Sequence, residues 1–460
     1  MAVKIRKKNL YVSGLSAVLC FVLVGCGGNS SNSSNSGQSN NQNTSQTGDG
    51  FNWKQDSGQT INLLVEQHPW TTAIKPYISE FENQTGIKVN LEIYPEQQAR
   101  QKALISLQSH SSDFDVFMSL KSLEGLQYQK AGYYTDLTPF LNNPKLTAPG
   151  YNLSDFENGP LAGETINNKL VGLPIIVEGP VIFYRKDLFS KYNIPIPKTI
   201  SDLTTAAAQI EKDTNGSIYG ITLRGLPAAV AYTYGPFFHD MGAHWYNSNG
   251  KSDLASPSGV KALQLYADLA SQYGPPGVVN YTFTQSSSLF EQGKVGMELD
   301  SSNEFSSLTN AQQSRVSNDI GVIPFPAGPG GNHPTELQWG ISMNSFSQHK
   351  DAAWLFMQWS TSQSMQLKLA MKGIASPRTS SWSDPQFQAT LKNDEYKQWA
   401  DAVTETLKNG DPNVGPPAVN ESQVRTIIGN MVDSVILKQS TAEQAAQSAD
   451  NQIDQVISGQ

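Results

Sequence analysis

The alternation of strand-like and helix-like segments after residue 60 restricts the fold more than any other feature of this sequence. A short apolar segment at 61–65 is followed by apolar residues at helical spacing between 73 and 81. Residues 86–94, GIKVNLEIY, then alternate between apolar and polar side chains, as a strand with one buried face does. A helix is predicted over 96–109 and a buried strand over 115–118. Strand–helix–strand alternation is typical of α/β lobes, so we expect an α/β fold with mostly parallel sheets.

The same patterns continue along the rest of the chain. Further strands are predicted at 171–177, 181–184, 218–222, 294–299 and 319–323, and further helices at 258–273 and 350–372. The segments 424–436 and 442–457 each carry their apolar residues on a single helical stripe, which predicts two helices that face the core.

The first 26 residues predict a signal peptide that ends at a cysteine. Cations at positions 4, 6, 7 and 8 precede an apolar run over 10–24, and this run is shorter than the roughly 20 residues that a membrane-spanning helix needs. The run ends in Leu23-Val24-Gly25-Cys26, which resembles the lipobox of bacterial lipoproteins, whose cysteine receives a diacylglycerol group. We therefore predict a signal peptide at 1–25 and a lipid on Cys26 that anchors the protein on the extracytoplasmic face of the cell membrane. A cysteine buried in a transmembrane helix is the alternative.

A polar tract follows that cysteine. Residues 27–50 contain no aromatic or aliphatic side chain and a single charge, Asp49. Such a segment cannot bury enough apolar surface to offset its ordering entropy. We expect residues 26–57 to form a lipid-anchored, disordered linker rich in Ser and Asn.

Length and charge narrow the classes of function. The first 25 residues hold four of the 32 Lys and Arg residues and none of the 40 Asp and Glu residues, so their removal lowers the net charge from −8 to about −12. Nucleic-acid binding needs a basic surface, which makes a nucleic-acid partner improbable. The remaining 435 residues are long for one domain and favour two lobes.

Several motifs now occur in one order. They are FENQTGIKVNLEIY, FDVFMSL, LPIIVEGPVIFYRKDLFSKYNIPIPKTISDL, FEQGKVGMELDSS, IGVIPFPAGPGG and LQWGISMNSFSQHKDAAWLFMQW. Over about 58–460, their order and spacing resemble the family 1 extracellular solute-binding proteins of bacterial carbohydrate ABC transporters. The region 235–277 most resembles binders of small sugars or polyols.

The resemblance implies a two-lobed, periplasmic-binding-protein-like (type II) α/β fold with a hinge between the lobes. We place an N-terminal lobe at 58–176 plus 330–374 and a C-terminal lobe at 177–329 plus 375–460. It also implies that the protein passes a sugar, oligosaccharide or polyol to membrane permease subunits driven by cytoplasmic ATPases. We expect a monomer without cofactor or metal.

Sugar recognition suggests which residue types to look for. The faces of a sugar ring pack on aromatic rings, and its hydroxyl groups bond to Asp, Glu, Asn and Arg side chains. Ligands of open α/β sheets lie beyond the carboxyl ends of the strands. Glu66, His68 and Trp70 follow the first predicted strand, and Ser119 follows the third, where relatives often carry an acid.

The resemblance singles out a second group of candidates. Glu178 corresponds to a glutamate that reaches the ligand from the hinge, and Trp339 to a tryptophan whose ring stacks on sugar. Arg378 corresponds to an arginine that donates to sugar oxygens, although a structural clamp at the lobe boundary is the alternative.

The remaining candidates come from the C-terminal lobe. Asp300 and Asn303 end the GKVGMELD strand, where relatives supply contacts. Tyr234 precedes a Gly-Pro turn, and Trp245 could line the cleft or pack in the core.

Other functions stay open at this point. The chain could bind a non-sugar solute such as a peptide, polyamine or metal, or be an adhesion module. A lipid-anchored glycoside hydrolase with two carboxylates is a further alternative. No G-x-S-x-G or H-E-x-x-H motif occurs in the sequence, and we predict no catalytic residues.

Overall fold

A computed structural model describes residues 50–459 of the chain. The predicted signal peptide, the lipid-anchor residue Cys26 and most of the predicted linker lie outside the described residues. The last part of that linker belongs to the folded body, because residues 53–58 form turns and Phe51 and Trp53 pack against the core. The two rings meet edge to face at 5.0 Å, so the folded body begins before residue 58.

Two large sheets and one small hairpin hold the strands of the described chain. The eleven strands are β1 (Thr60–Glu66), β2 (Lys88–Tyr94), β3 (Val116–Ser119), β4 (Thr165–Ile166), β5 (Lys169–Leu170), β6 (Leu173–Glu178), β7 (Pro180–Arg185), β8 (Tyr219–Thr222), β9 (Val295–Ser301), β10 (Ile320–Pro324) and β11 (Leu337–Met343). The first sheet has the order β2-β1-β3-β11-β6 and the second the order β10-β7-β9-β8. The predicted strands are confirmed within a few residues.

The prediction of mostly parallel sheets was wrong. In the first sheet β1 runs parallel to β2 and β3, but β11 lies antiparallel to both β3 and β6. In the second sheet only β8 and β9 are parallel. A side-chain pattern shows which face of a strand is buried but not its direction. The sequence pattern therefore could not predict that β11 runs antiparallel to its neighbours.

The two sheets define two lobes, and the α/β fold class is confirmed. The first lobe is built around the strands at 60–119, 173–178 and 337–343, and the second around the strands at 180–324. The chain passes from one sheet to the other at Gly179, where a Cβ atom would lie 2.1 Å from Cγ2 of Thr406 and 2.8 Å from the carbonyl oxygen of Thr335. Only glycine allows this close approach. The predicted boundaries between the two lobes, at 176/177, 329/330 and 374/375, stay a prediction.

Nineteen α-helices cover these sheets within residues 50–459. They are α1 (Pro69–Ile74), α2 (Ile78–Thr85), α3 (Glu96–Gln108), α4 (Leu126–Ala131), α5 (Thr138–Leu141), α6 (Asn158–Gly163), α7 (Lys186–Lys191), α8 (Ile200–Asp213), α9 (Pro227–Asp240), α10 (Pro257–Gln272), α11 (Phe283–Glu291), α12 (Phe305–Leu308), α13 (Lys350–Ser360), α14 (Gln363–Ala370), α15 (Thr379–Ser383), α16 (Pro385–Thr390), α17 (Asp394–Asn409), α18 (Glu421–Ile436) and α19 (Ala442–Ser458). A π-helical turn at Lys121–Gly125 follows β3.

Two predicted helices are divided in the structure. The segment 73–81 spans α1, a 3₁₀ turn at Lys75–Tyr77 and α2, because Pro76 has no N–H to continue an α-helix. The segment 350–372 divides into α13 and α14, where the Ser362 hydroxyl accepts a hydrogen bond from the backbone N–H of Met365 and caps the second helix.

The last two helices face the core as predicted. α18 packs against α9, α10 and α19 in the second lobe. Val424, Ile428 and Val432 of its apolar stripe are fully buried. Among the described residues, no helix combines the length and the apolar character that crossing a membrane requires.

Candidate functional site

A small cavity lies where the two lobes meet, beside the chain crossing at Gly179; we call it the inner cavity. The first lobe contributes His68, Glu96, Leu120, Leu123, Leu337 and Trp339, and Glu178 lies at the crossing. The second lobe contributes Arg224, Ala228, Ala229, Tyr232, Phe283, Ser301, Glu304 and Arg425. Its volume is about 30 Å³, which is enough for one or two water molecules.

Glu178 is the central carboxylate of this cavity. It ends β6 and lies opposite Leu337 of β11. Its Oε1 accepts a hydrogen bond of 3.2 Å from the indole Nε1 of Trp339, and the Ser301 hydroxyl donates to its Oε2. Burial raises the pKa of Glu178, while the hydrogen bond from Ser301 lowers it. The carboxylate therefore holds partners from both sheets.

Asn303 lies just behind that carboxylate and ties the crossing together. Its Nδ2 donates to the carbonyl oxygen of Val177 at 2.9 Å and to Glu178 Oε2 at 3.4 Å. Its Oδ1 accepts from the backbone N–H of Ala375 at 2.8 Å. Asn303 does not line the cavity, so its contacts serve to hold three chain segments in register.

Arg224 supplies the charge opposite Glu178, and the sequence reasoning missed it. Its guanidinium donates from Nε to both carboxylate oxygens of Asp300, at 3.0 and 3.1 Å. It lies 4.5 Å from the ring centre of Tyr232 and 5.5 Å from that of Phe283. Asp300 is fully buried and acts through Arg224 rather than from the cavity wall.

A signal for Arg224 was present in the sequence. It lies two residues after β8, and the rule that ligands bind beyond the carboxyl ends of strands covers that position. Phe283 opens α11, Glu304 lies in a 3₁₀ turn and Arg425 lies on α18. No local sequence pattern marks these three residues, because only the tertiary fold brings their segments, which are far apart in the chain, to the cavity.

His68 closes the cavity on the side of the first lobe. Its Nδ1 accepts a hydrogen bond of 3.2 Å from the backbone N–H of Trp70, and its ring centre lies 5.5 Å from that of Trp339. Burial and, to a smaller extent, the positive charge of Arg224 lower the pKa of His68 to about 3. The imidazole is therefore neutral at pH 7, and Nε2 carries its proton.

A buried ionic cluster supports the ring of Trp339 from behind. The guanidinium of Arg100 lies 4.9 Å from the Trp339 ring centre. It contacts Glu124, Glu96 at 3.2 Å and Glu66 at 3.9 Å. Burial raises the pKa of Glu66 well above its usual value, against the opposing effect of Arg100. Glu66 thus lies behind the cavity wall and not on it.

Ser119 belongs to the same layer behind the wall. Its hydroxyl donates to Glu124 at 3.1 Å and lies 2.7 Å from the hydroxyl of Tyr134. It is fully buried and does not line the inner cavity.

Three other predicted residues also lie away from the inner cavity. Trp70 is 1% exposed in the core of the first lobe, and Trp245 stacks on Phe238 at 4.3 Å. Tyr234 faces the core. Side chains two positions apart on a helix point to nearly opposite sides, so Tyr232 of α9 lies at the cavity instead.

Arg378 is fully buried, and its Nε and Nη1 atoms donate within the protein, whereas Nη2 has no hydrogen-bond partner within residues 50–459. It donates to the carbonyl oxygens of Thr361 at 2.6 Å and Asn152 at 2.7 Å, and it pairs with Asp155 at 3.1 Å. These bonds match the structural clamp that the sequence left open as an alternative.

A wide groove, which we call the outer groove, leads away from the inner cavity. It measures about 1270 Å³ and shares His68, Phe283 and Glu304 with the inner cavity. Its walls carry mostly hydroxyl and amide side chains from both lobes. Residues 50–459 contain no group of three or more His, Cys, Asp or Glu side chains that could hold a metal ion.

Comparison with known proteins adds a family and several relatives. The family model described as bacterial extracellular solute-binding protein matches residues 67–367. The erythritol/L-threitol-binding protein of Mycolicibacterium smegmatis is 29% identical over 396 residues, which cover 82% of this chain and 81% of that protein.

Two further relatives differ in the cargo that their names indicate. A probable amino-acid ABC transporter periplasmic-binding protein of Sinorhizobium fredii is 27% identical, covering 87% of this chain and 90% of its own length. The mannitol-binding protein of Pseudomonas aeruginosa is 26% identical, covering 80% and 86%. A ribitol complex of an Agrobacterium radiobacter ABC transporter solute-binding protein has the same fold, with a TM-score of 0.76 and 24% identity over 87% of this chain and 99% of that one.

Proposed function

Because the chain belongs to the family of bacterial extracellular solute-binding proteins, we propose that it captures an uncharged polyol or sugar in the inner cavity for an ABC importer. Membership of this family implies an extracytoplasmic location. The proposed type of ligand rests on one observation: Glu178 and Arg224, from opposite lobes, line the same cavity. Its other walls include the aromatic rings of Trp339, Tyr232 and Phe283. Carboxylates and guanidiniums bond to hydroxyl groups, and aromatic faces pack on C–H groups.

The charge balance of the cavity favours a neutral ligand. Burial raises the pKa of Glu304 to about 8, so this carboxyl is mostly protonated at pH 7. Three other charged groups of the cavity already have ionic partners, since Arg224 pairs with Asp300, Arg425 with Glu421 and Glu96 with Arg100. A ligand with a net charge would therefore add a buried charge without a partner.

The small volume of the cavity favours a mechanism of lobe closure. A cavity of about 30 Å³ is too small for a polyol, so the form that holds the ligand has its lobes further apart than they are in this structure. Contacts from both lobes then make the closed form more favourable with ligand than without it. Binding is thus a shift of population between open and closed forms.

The steps around binding belong to the same proposal. Cys26 carries the lipid that keeps the protein at the membrane, and the closed monomer delivers its ligand to permease subunits. The lipobox-like sequence at 23–26 and the family membership support these steps.

A second candidate cargo is an amino acid. The relative of Sinorhizobium fredii favours it by name. An amino acid carries an ammonium and a carboxylate, which could pair with Glu178 and Arg224 respectively.

The matched family and the named relatives are binding proteins rather than enzymes, and we propose that this chain has no catalytic activity. Release of chromophore from a chromogenic glycoside would contradict that part of the proposal.

Calorimetric titration of the full chain tests the cargo. The ligand panel contains erythritol, ribitol, mannitol, maltose and a set of amino acids. We expect saturable binding of a polyol or sugar, and a loss of about tenfold or more in affinity for Glu178→Gln. Glu443→Gln, an exposed carboxylate on α19, is the matched control. Binding of amino acids alone would replace the proposed cargo, and no binding across the panel would overturn it.

A further inference from the structure

A second cavity lies next to the inner cavity and shares Leu123 with it; we call it the side cavity. It measures about 170 Å³. A cavity of roughly 150 Å³ can hold a molecule the size of benzene. Residues 121–126 of the first lobe form one wall, and the loop at 412–421 of the second lobe forms the other. The side cavity therefore lies between the lobes, as the inner cavity does.

The two cavities share a wall. Leu123 lines both of them. Arg425 lines the inner cavity, and its Nε lies 3.4 Å from Oε1 of Glu421, which lines the side cavity. The Nη2 atom of Arg425 also reaches across to the other lobe, where it donates to the carbonyl oxygen of Ser122 at 3.3 Å and to its hydroxyl at 3.2 Å. One ion pair and one leucine thus separate the two spaces.

Glu421 has unused hydrogen-bonding capacity at this place. The residue is 5% exposed, and its Oε2 has no hydrogen-bond partner within residues 50–459 in the geometry of the side chains, although the backbone at Ala418 and Arg425 both stabilise the carboxylate. Burial raises the pKa of Glu421 to about 7, so the carboxyl is partly protonated at pH 7. A buried carboxylate oxygen without a donor is costly. A ligand hydroxyl in the side cavity would supply the missing donor.

The rest of the lining suits hydroxyl groups on a linear chain. Lys121, Ser122 and Asn413 add ammonium, hydroxyl and amide groups, and the ammonium is held 2.7 Å from Glu164. No aromatic side chain lines the side cavity, so it offers no flat surface for the face of a sugar ring. The chemistry matches the end of an acyclic polyol rather than a pyranose.

We propose that the side cavity is a second compartment of the ligand site, which takes the distal hydroxyl groups of a linear polyol longer than four carbons. This inference rests on the proposed function. The inner cavity binds one end of the chain, and the other end passes Leu123 and bonds to Glu421. Once the lobes have separated enough to admit the ligand, a hexitol extends past Leu123 to Glu421, whereas a tetritol is too short to reach that carboxylate.

Calorimetry with erythritol, ribitol and mannitol tests the proposal on the full chain. We expect the native protein to bind mannitol at least about tenfold more tightly than erythritol. Ala418→Phe fills the side cavity from the loop at 412–421 and should abolish that advantage, with erythritol affinity changed less than about twofold. Glu421→Gln keeps the size of the side chain and should weaken mannitol more than erythritol.

Matched variants outside the cavity complete the design. Ala389→Phe on α16 and Glu443→Gln on α19 change exposed residues, and neither should alter the ratio of the two affinities. If Ala418→Phe does not fold, Glu421→Gln still decides. Unchanged or equal losses for all three polyols would overturn the second compartment while the proposed function stands. The absence of polyol and sugar binding in the native protein would overturn both.

Discussion

The indole Nε1 of Trp339 donates a hydrogen bond of 3.2 Å to Oε1 of Glu178, which joins two residues on adjacent strands, 161 positions apart in the chain. Glu178 is the last residue of the first sheet before the crossing at Gly179, and its other oxygen accepts from Ser301 of the second sheet. One carboxylate therefore connects the aromatic wall of the cavity to both lobes.

This hydrogen bond should couple the two residues in ligand binding. Trp339→Phe keeps an aromatic ring but removes the donor, and we expect about a tenfold loss of polyol affinity. The double variant with Glu178→Ala should lose less than the sum of the two single losses, because each change removes one partner of the same bond. A double-mutant cycle measured by calorimetry checks this, with Trp53→Phe as control; strictly additive losses would show that the bond plays no part.

The buried pair of Arg224 and Asp300 should dominate the stability of the second lobe. Asp300→Ala leaves the guanidinium buried without its carboxylate, which should lower the free energy of unfolding by about 3–5 kcal/mol. Urea denaturation measures the change. The exposed pair of Lys397 and Asp401 is the control, and Asp401→Ala should have little effect. Equal effects of the two substitutions would contradict the assignment.

Glu304 should make the stability fall as the pH rises. Burial raises its pKa from 4.5 to about 8, so the folded protein keeps a proton that the unfolded chain loses. The contribution to stability is present below about pH 4.5 and is lost as the pH rises toward about 8. In Glu304→Gln the amide cannot ionise, so the stability of the native protein relative to this variant should decline over that range. Urea denaturation at several pH values gives the difference, and a constant difference would refute the shift.

Gly179 should tolerate no side chain. Gly179→Ala places a Cβ atom 2.1 Å from Cγ2 of Thr406, and we expect a loss of about 1–3 kcal/mol in the free energy of unfolding. Thr406→Ser removes that methyl group and should restore part of the loss, although the carbonyl oxygen of Thr335 stays close. Thermal denaturation of the single and double variants measures the recovery, and a double variant no more stable than Gly179→Ala would count against this contact.

The sequence by itself determined the family, through the order of its motifs, and the α/β class. It also predicted most of the strands and several of the longer helices, because hydrophobic period is a local property of the chain, but it did not predict helices such as α8, α9 and α17. It also pointed to Glu178 and Trp339, which follow or occupy strands at the cavity. Their predicted role in binding stays a prediction.

Only the tertiary structure decided which candidates meet. It placed Tyr232 rather than Tyr234 at the cavity, engaged Arg378 with Asp155, and brought Arg224 to a position opposite Glu178. It also reversed β11 between β3 and β6. These outcomes depend on the direction of strands and on contacts between segments far apart in the chain, and side-chain periodicity carries no information about either.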